Sequence, residues 1–117
     1  MRSGWLLRDG DVICALEMTE RPGERRLGLR GGSGVAGAVH CDRARLRHTV
    51  GQRAAVDVAF LSPDLTVLDL TRLDPWRVAW PRRGGRSVLE AEAGSWSRWG
   101  VQVGDQLEIR PVEAGPA

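Results

Sequence analysis

Residues 48–61, HTVGQRAAVDVAFL, and the shorter stretch at residues 88–94, VLEAEAG, decide the fold of this chain. Each stretch places a carboxylate, Asp57 or Glu90, inside an apolar run that is typical of a β-strand. A buried charge without a hydrogen bond or an ion partner is costly. We therefore expect both carboxylates to be paired internally, so that they help to fix how the strands pack.

The period of two along a strand predicts which side chains share a face. Asp57 should point away from the side that carries Val58. Glu90 should likewise point away from the side that carries Leu89 and Ala91. If Asp57 and Glu90 were in contact, the charge of one carboxylate would raise the pKa of the other. A carboxylate pair of this kind is typical of active sites. An ion pair between Glu90 and an arginine such as Arg53 is the favoured alternative to such a dyad.

Short apolar runs separated by turn signals continue along the chain, and they predict strands at residues 5–8, 12–18, 38–41, 44–50, 56–61, 65–73, 87–93 and 105–110. The Asp9-Gly10 pair predicts a hairpin between the first two strands. One short α-helix is expected near residues 20–29, beginning around Thr19, and a helical turn near residues 94–100. The pattern predicts a mainly β, antiparallel sandwich or barrel in a single domain at residues 1–111, with a frayed tail at 112–117.

The charge and the amino-acid composition of the chain limit the kinds of function that it can have. The 117 residues carry 17 basic side chains, all arginine, and a net charge of +2. This charge favours acidic partners weakly and argues against a dedicated nucleic-acid domain. A GC-rich genome explains the arginines most simply, and selection for bidentate anion contacts is the functional alternative. Cys14 and Cys41 are expected to be buried, reduced thiols. With no apolar run near 20 residues and no signal peptide, we expect a soluble, cytoplasmic monomer or weak dimer.

Four polar residues form the catalytic hypothesis. A hydroxyl, an imidazole and carboxylates can build a nucleophile and its base, so His48, Thr49, Asp57 and Glu90 are candidates for a small hydrolase. Neighbouring strand residues point to opposite faces, however, so His48 and Thr49 should diverge. The favoured interpretation is structural: Thr49 and Asp57 hydrogen-bond across the strands and fix their register.

Two further motifs suggest a metal or a cofactor, and neither has the right context. Zinc prefers thiolate and imidazole ligands, but Cys14, His40, Cys41 and His48 lack ligand spacing. Residues 32–37, GSGVAG, match the dinucleotide fingerprint, yet they follow a predicted helix and precede a strand, which is the reverse of the required order. We therefore expect no metal and no cofactor.

The favoured functional surface is rich in arginine and tryptophan. Residues 74–86, DPWRVAWPRRGGR, interleave indoles with guanidinium groups, a combination typical of binding to anionic polymers. The alternative is a loop whose indoles cover the edge of the sandwich. We predict a non-enzymatic module that binds a protein or an anionic ligand, and the expected binding residues are Trp76, Arg77, Trp80, Arg82 and Arg83. Further arginines lie on the predicted helix, at Arg21, Arg25, Arg26 and Arg30.

The order of several motifs adds a family resemblance. These motifs are Thr19 with residues 24–29 (ERRLGL), residues 37–41 (GAVHC), 45–49 (RLRHT), 55–60 (AVDVAF), 88–90 (VLE) and 103–105 (VGD). Together they resemble the domain of unknown function 192 family, also called uncharacterised protein family 0127. The resemblance implies a jelly-roll-like β-sandwich or barrel with a small helix and no established activity. The Gly-Asp signature of the family corresponds to residues 104 and 105, so the resemblance also implies a structural role for the carboxylate of Asp105.

Overall fold

A computed structural model describes residues 2–19, 37–42 and 47–112 of the protein. This part of the chain contains nine strands and one short helix: β1 (Arg2–Arg8), β2 (Asp11–Thr19), β3 (Gly37–Cys41), β4 (Arg47–His48), β5 (Val56–Leu61), β6 (Val67–Leu73), β7 (Val78–Ala79), β8 (Ser87–Glu92), α1 (Ser95–Trp99) and β9 (Leu107–Pro111). The predicted mainly β class is confirmed. The helix expected near residues 20–29, its arginines and the fingerprint at residues 32–36 lie outside the described residues. Thr19 is the last residue of β2 rather than the start of a helix.

Seven strands form one sheet in the order β6-β5-β8-β3-β2-β1-β9. The two edge strands meet near an isolated bridge between Thr66 and Gln106. There the Val67 N–H donates to the Asp105 carbonyl at 2.8 Å, and the Leu107 N–H donates to the Leu65 carbonyl at 3.0 Å. The sheet is therefore closed at this end into a barrel, which protects its edges from pairing with other chains.

The pairing within this sheet is antiparallel except between β2 and β3, which run parallel. A parallel pair needs a long connection, and β2 ends at Thr19 whereas β3 begins at Gly37. The expected antiparallel architecture thus holds for every neighbouring pair of this sheet but one. Strands β4 and β7 form a separate two-stranded sheet, in which His48 pairs with Val78.

Strand β5 is buried along its whole length, and its two faces contribute to two apolar clusters. Ala59 and Leu61 belong to the barrel interior, where they join Leu89 of β8 and Trp96 of α1. The opposite face carries the outer cluster, Cys41, Val56, Val58, Phe60, Leu73, Ala79 and Val88. This partition follows the predicted alternation, and Ala79 places β7 over the outer face of the sheet.

The first hairpin shows why its turn sequence matters. Asp9 and Gly10 both have positive φ, at 53° and 83°, as a type I′ turn requires. Arg8 and Asp11 are paired on either side of the turn, so these two residues make the whole connection between β1 and β2.

Replacing Gly10 by alanine should lower the free energy of unfolding by about 1 kcal/mol, because a Cβ is strained at positive φ. A Cβ at this position would meet nothing within 4 Å, so the loss would be purely conformational. The measurement is urea denaturation, with Asp9→Asn as control, since asparagine tolerates the left-handed region. Equal stability of Gly10→Ala and the wild type would contradict this turn geometry.

Candidate functional site

Asp57 is buried on the interior face of β5, where its carboxylate binds the start of α1. Its Oδ2 accepts hydrogen bonds from the backbone N–H groups of Gly94, at 3.0 Å, and Trp96, at 3.1 Å. The first N–H groups of a helix have no partner within that helix, so a carboxylate placed there satisfies them. We expected Asp57 to hydrogen-bond across the strand pair. Its partners instead lie 37 and 39 residues further along the chain, at the start of α1.

Glu90 lies on the other side of the same sheet. It stands opposite Val58 in β5 and Val39 in β3, whereas Asp57 stands opposite Ala91. Directly opposed residues share a face, so the sheet separates Glu90 from Asp57. The two carboxylates therefore do not form a dyad. Glu90 is only 1% exposed and has an interaction partner.

Thr49 is fully buried and holds the turn at residues 74–77. Its Oγ1 donates to the Asp74 carbonyl at 2.5 Å and accepts from the Arg77 N–H at 3.0 Å. Its backbone carbonyl accepts from the Trp76 N–H at 3.0 Å. The adjacent His48 ring is half-buried, and its Nδ1 accepts a weak hydrogen bond of 3.3 Å from the Val50 N–H. Because the sheet separates Asp57 from Glu90, the four candidate catalytic groups cannot all meet in one pocket.

Asp105 links the end of β1 to the segment that follows α1. Its carboxylate accepts from Arg8 at 3.0 Å and from the Gln102 N–H at 2.9 Å. The same guanidinium donates to the carbonyls of Gly100, at 2.8 Å, and Trp99, at 3.1 Å, at the end of α1. These bonds place a cation at the negative end of the helix and anchor the last turn beside β1.

The outer loop, defined as residues 74–86, presents two indoles to solvent. Trp76 is 64% exposed and Trp80 is 66% exposed, and Val78 between them is 40% exposed. Ala79 is buried beneath them, so β7 turns its apolar small residue inward and its large residues outward. Trp76 has φ of 62°, a strained conformation for a non-glycine residue, and the bonds from Thr49 hold it there.

The arginines of the outer loop divide into two kinds. Arg82 is half-buried: its Nε donates to Asp69 at 2.6 Å, and its guanidinium lies 4.3 Å from the centre of the Phe60 ring. Arg77 and Arg83 are exposed. Arg82 therefore attaches the loop to the barrel, whereas Arg77 and Arg83 face solvent beside the indoles.

A buried His40–Ser87 pair is a polar contact that the sequence did not indicate. The His40 Nε2 lies 2.9 Å from the Ser87 Oγ, and both residues are buried. Desolvation lowers the pKa of His40, and the charge of Asp42 partly offsets that shift. A serine beside an imidazole resembles part of a nucleophile–base pair, but burial keeps both from a substrate. Their positions on two neighbouring strands could be found only from the register.

The cysteines lie on different faces, Cys14 in the barrel interior and Cys41 in the outer cluster. Both are buried free thiols, and burial raises the pKa of Cys14 to about 11, which keeps it protonated at neutral pH. No group of three potential ligands that could hold a metal occurs within residues 2–19, 37–42 and 47–112. Over the same ranges, no helix has the length and apolarity needed to cross a membrane.

These features define the class of protein. It is a closed β-barrel with an apolar interior, and its outer loop is held at both ends and presents two indoles to solvent. The chain belongs to the domain of unknown function 192 (DUF192) family, whose model, described as "Uncharacterized ACR", matches residues 6–109. The family resemblance drawn from the motifs is confirmed.

Curated relatives agree with this assignment. The chain is 41% identical over 61 residues to a UPF0127 protein of Pyrococcus furiosus, covering 52% of this chain and 53% of that protein. It is 39% identical over 54 residues to one of Pyrococcus abyssi, covering 46% of each. The matched part therefore spans about half the length of these relatives.

Two crystal structures share the fold. One is from Sinorhizobium meliloti 1021 and is described as a "putative transcription regulator"; it has a TM-score of 0.71 and 23% identity and covers 92% of each chain. The other is a protein of unknown function from Novosphingobium aromaticivorans, with a TM-score of 0.68 and 18% identity, covering 92% of this chain and 84% of that one. At these identities the likeness shows the fold alone.

Replacing Asp57 by alanine should lower the free energy of unfolding by about 2–4 kcal/mol, since two backbone N–H groups lose a charged acceptor. Asp57→Asn keeps an acceptor oxygen of the same shape and should lose less than half as much. Chemical denaturation of both variants measures the difference. If the two variants were equally destabilised, the bonds to Gly94 and Trp96 would not be the reason for the burial of Asp57.

The lowered pKa of His40 predicts that the stability of the protein depends on pH. The folded pKa of His40 lies below its unfolded value, so the unfolded chain binds a proton first as the pH falls. Stability should therefore decrease as the pH drops below about 6.5, by at most about 1.4 kcal/mol per pH unit. Thermal melts from pH 8 to pH 5 should show a smaller decrease for His40→Gln than for the wild type. A pH slope for His40→Gln equal to or steeper than that of the wild type would refute the assignment.

Proposed function

We propose that this protein is a non-enzymatic binding module that docks an acidic segment of a partner protein on its outer loop. The observation that carries the proposal is the exposure of Trp76 and Trp80 on one strand-and-turn unit beside the exposed guanidinium groups of Arg77 and Arg83. Tryptophan and arginine are the residues that dominate the binding energy of protein interfaces. An apolar patch rimmed by charge is typical of an interaction site.

The way the loop is held supports this role. Thr49 fixes the turn at residues 74–77 through several hydrogen bonds, and Arg82 fixes the other end through Asp69 and Phe60. A loop held at both ends orders few groups on binding, so less conformational entropy is lost. Large exposed indoles on a rigid support suit binding better than they suit the stability of the free barrel, because their burial in the free protein is small.

The charge of the loop selects the partner. It carries four arginines and one aspartate, and Arg82 is already paired with Asp69. The remaining positive charge favours carboxylates, which guanidinium groups bind in a bidentate geometry. The net charge of +2 on the whole chain is modest for a nucleic-acid ligand. We place the module in the cytoplasm as part of the same proposal, where thiols such as Cys14 and Cys41 stay reduced.

Binding of fluorescein-labelled poly-L-glutamate, followed by fluorescence anisotropy, tests the proposal. The combined variant W76A/R77Q/W80A/R83Q should bind at least about tenfold more weakly than the wild type, since exposed ion pairs contribute up to about 1 kcal/mol each. Its melting temperature should stay close to that of the wild type, because all four side chains are exposed.

The matched control for charge is Arg2→Gln with Arg110→Gln, which removes two exposed arginines from β1 and β9. It should bind the polymer more tightly than the loop variant does. Equal binding by the control and the loop variant would contradict the loop as the docking site. Stronger wild-type binding to heparin or to a single-stranded oligonucleotide would overturn the acidic protein partner, and a large loss of melting temperature would assign the indoles to folding.

A further inference from the structure

We propose that a second site, on the outer face of β1, β2 and β3, binds a small organic cation: an ammonium or guanidinium group on a short alkyl chain. The described residues there line an open cavity of about 280 Å³. None of its described lining residues belongs to the outer loop, so this site stands independently of the proposed docking function. The residues that shape it are Trp5, Ala15, Glu17, Gly37, Val39 and Val112.

The strand register explains why a cavity forms at this place. Trp5, Ala15 and Gly37 lie opposite one another in a row across the three strands. The next row on the same face carries Glu17 and Val39. Because a large indole is followed by a methyl group and then by a glycine, the first row leaves space above β2 and β3. Trp5 is 44% exposed and Ala15 is exposed, so the space opens to solvent on their side.

Glu17 gives the cavity its charge preference. Its Oε2 is buried and has no hydrogen-bond partner among the residues that the structure describes. A carboxylate oxygen removed from water without a donor is costly, and such groups are uncommon in native proteins. A cationic N–H donor would supply a short, charge-assisted hydrogen bond at this atom.

The remaining walls match the rest of such a ligand. Trp5 contributes an indole to the lining, and cations bind favourably to indole rings; Val39 and Val112 contribute apolar surface for methylene groups. The volume lies just below the usual range for small-molecule sites, which restricts the ligand to a small molecule with a short alkyl chain. A free short-chain amine or guanidine therefore fits better than a residue carried by a folded partner.

Agmatine, which carries both an ammonium and a guanidinium group, is the probe. Isothermal titration calorimetry should detect its binding, and nuclear magnetic resonance should place the shifted backbone amides in β1, β2 and β3. Glu17→Gln should weaken binding by at least about tenfold, because a hydrogen bond between two charged groups is lost. Trp5→Leu should weaken it severalfold. Unchanged melting temperatures would show that both variants remain folded.

Glu108→Gln, an exposed glutamate on β9, is the control with the same charge change and should bind agmatine like the wild type. Absence of binding to the wild type, or equal weakening by Glu17→Gln and Glu108→Gln, would overturn the proposal. Tighter binding of Nα-acetyl-arginine amide than of agmatine would also overturn it, because the site would then select a side chain of a polypeptide. Failure here would leave the outer-loop proposal intact, since the two tests use different residues and probes.

Discussion

The burial of β5 on both faces is the constraint on which the rest of the structure depends. A strand between two apolar layers cannot slip by one residue, because the slip would exchange its interior and outer side chains. Its interior face holds Asp57, and the carboxylate brings the start of α1 against the barrel. Its outer face holds Val58 and Phe60, on which the outer cluster and Arg82 are assembled. One strand thus positions both α1 and the outer loop.

In this arrangement the polar groups that stabilise the fold are different from those that we propose for binding. The buried polar groups, Asp57, Thr49 and the His40–Ser87 pair, are used by the fold itself. The groups that we propose for recognition lie outside: the indoles of the outer loop, and the carboxylate of Glu17 in a cavity on different strands. Binding residues carried by loops on a rigid sheet are a common solution, because the scaffold tolerates changes there.

Much of the fold could be predicted from the sequence, and particular residues show why the rest could not. Alternation alone placed Val58 and Asp57 on opposite faces, and glycines flank α1 at the expected helical turn. The partners of Asp57 lie in a turn 37 and 39 residues away, so only the tertiary structure shows them. The parallel pairing of β2 with β3 depends on long-range contacts for the same reason. The sequence neighbours of Glu17 carry no sign of the cavity, because the cavity forms only where the register brings Ala15 opposite Gly37.

The central claim is that the Asp57 carboxylate holds the start of α1 inside a closed barrel. Amide hydrogen exchange at Trp96 tests it most directly, because that N–H is buried and donates to the carboxylate. We predict that the Trp96 amide is protected to a degree similar to the amides of β5. Exchange of the Trp96 amide as fast as that of exposed Val103, with β5 still protected, would contradict the account.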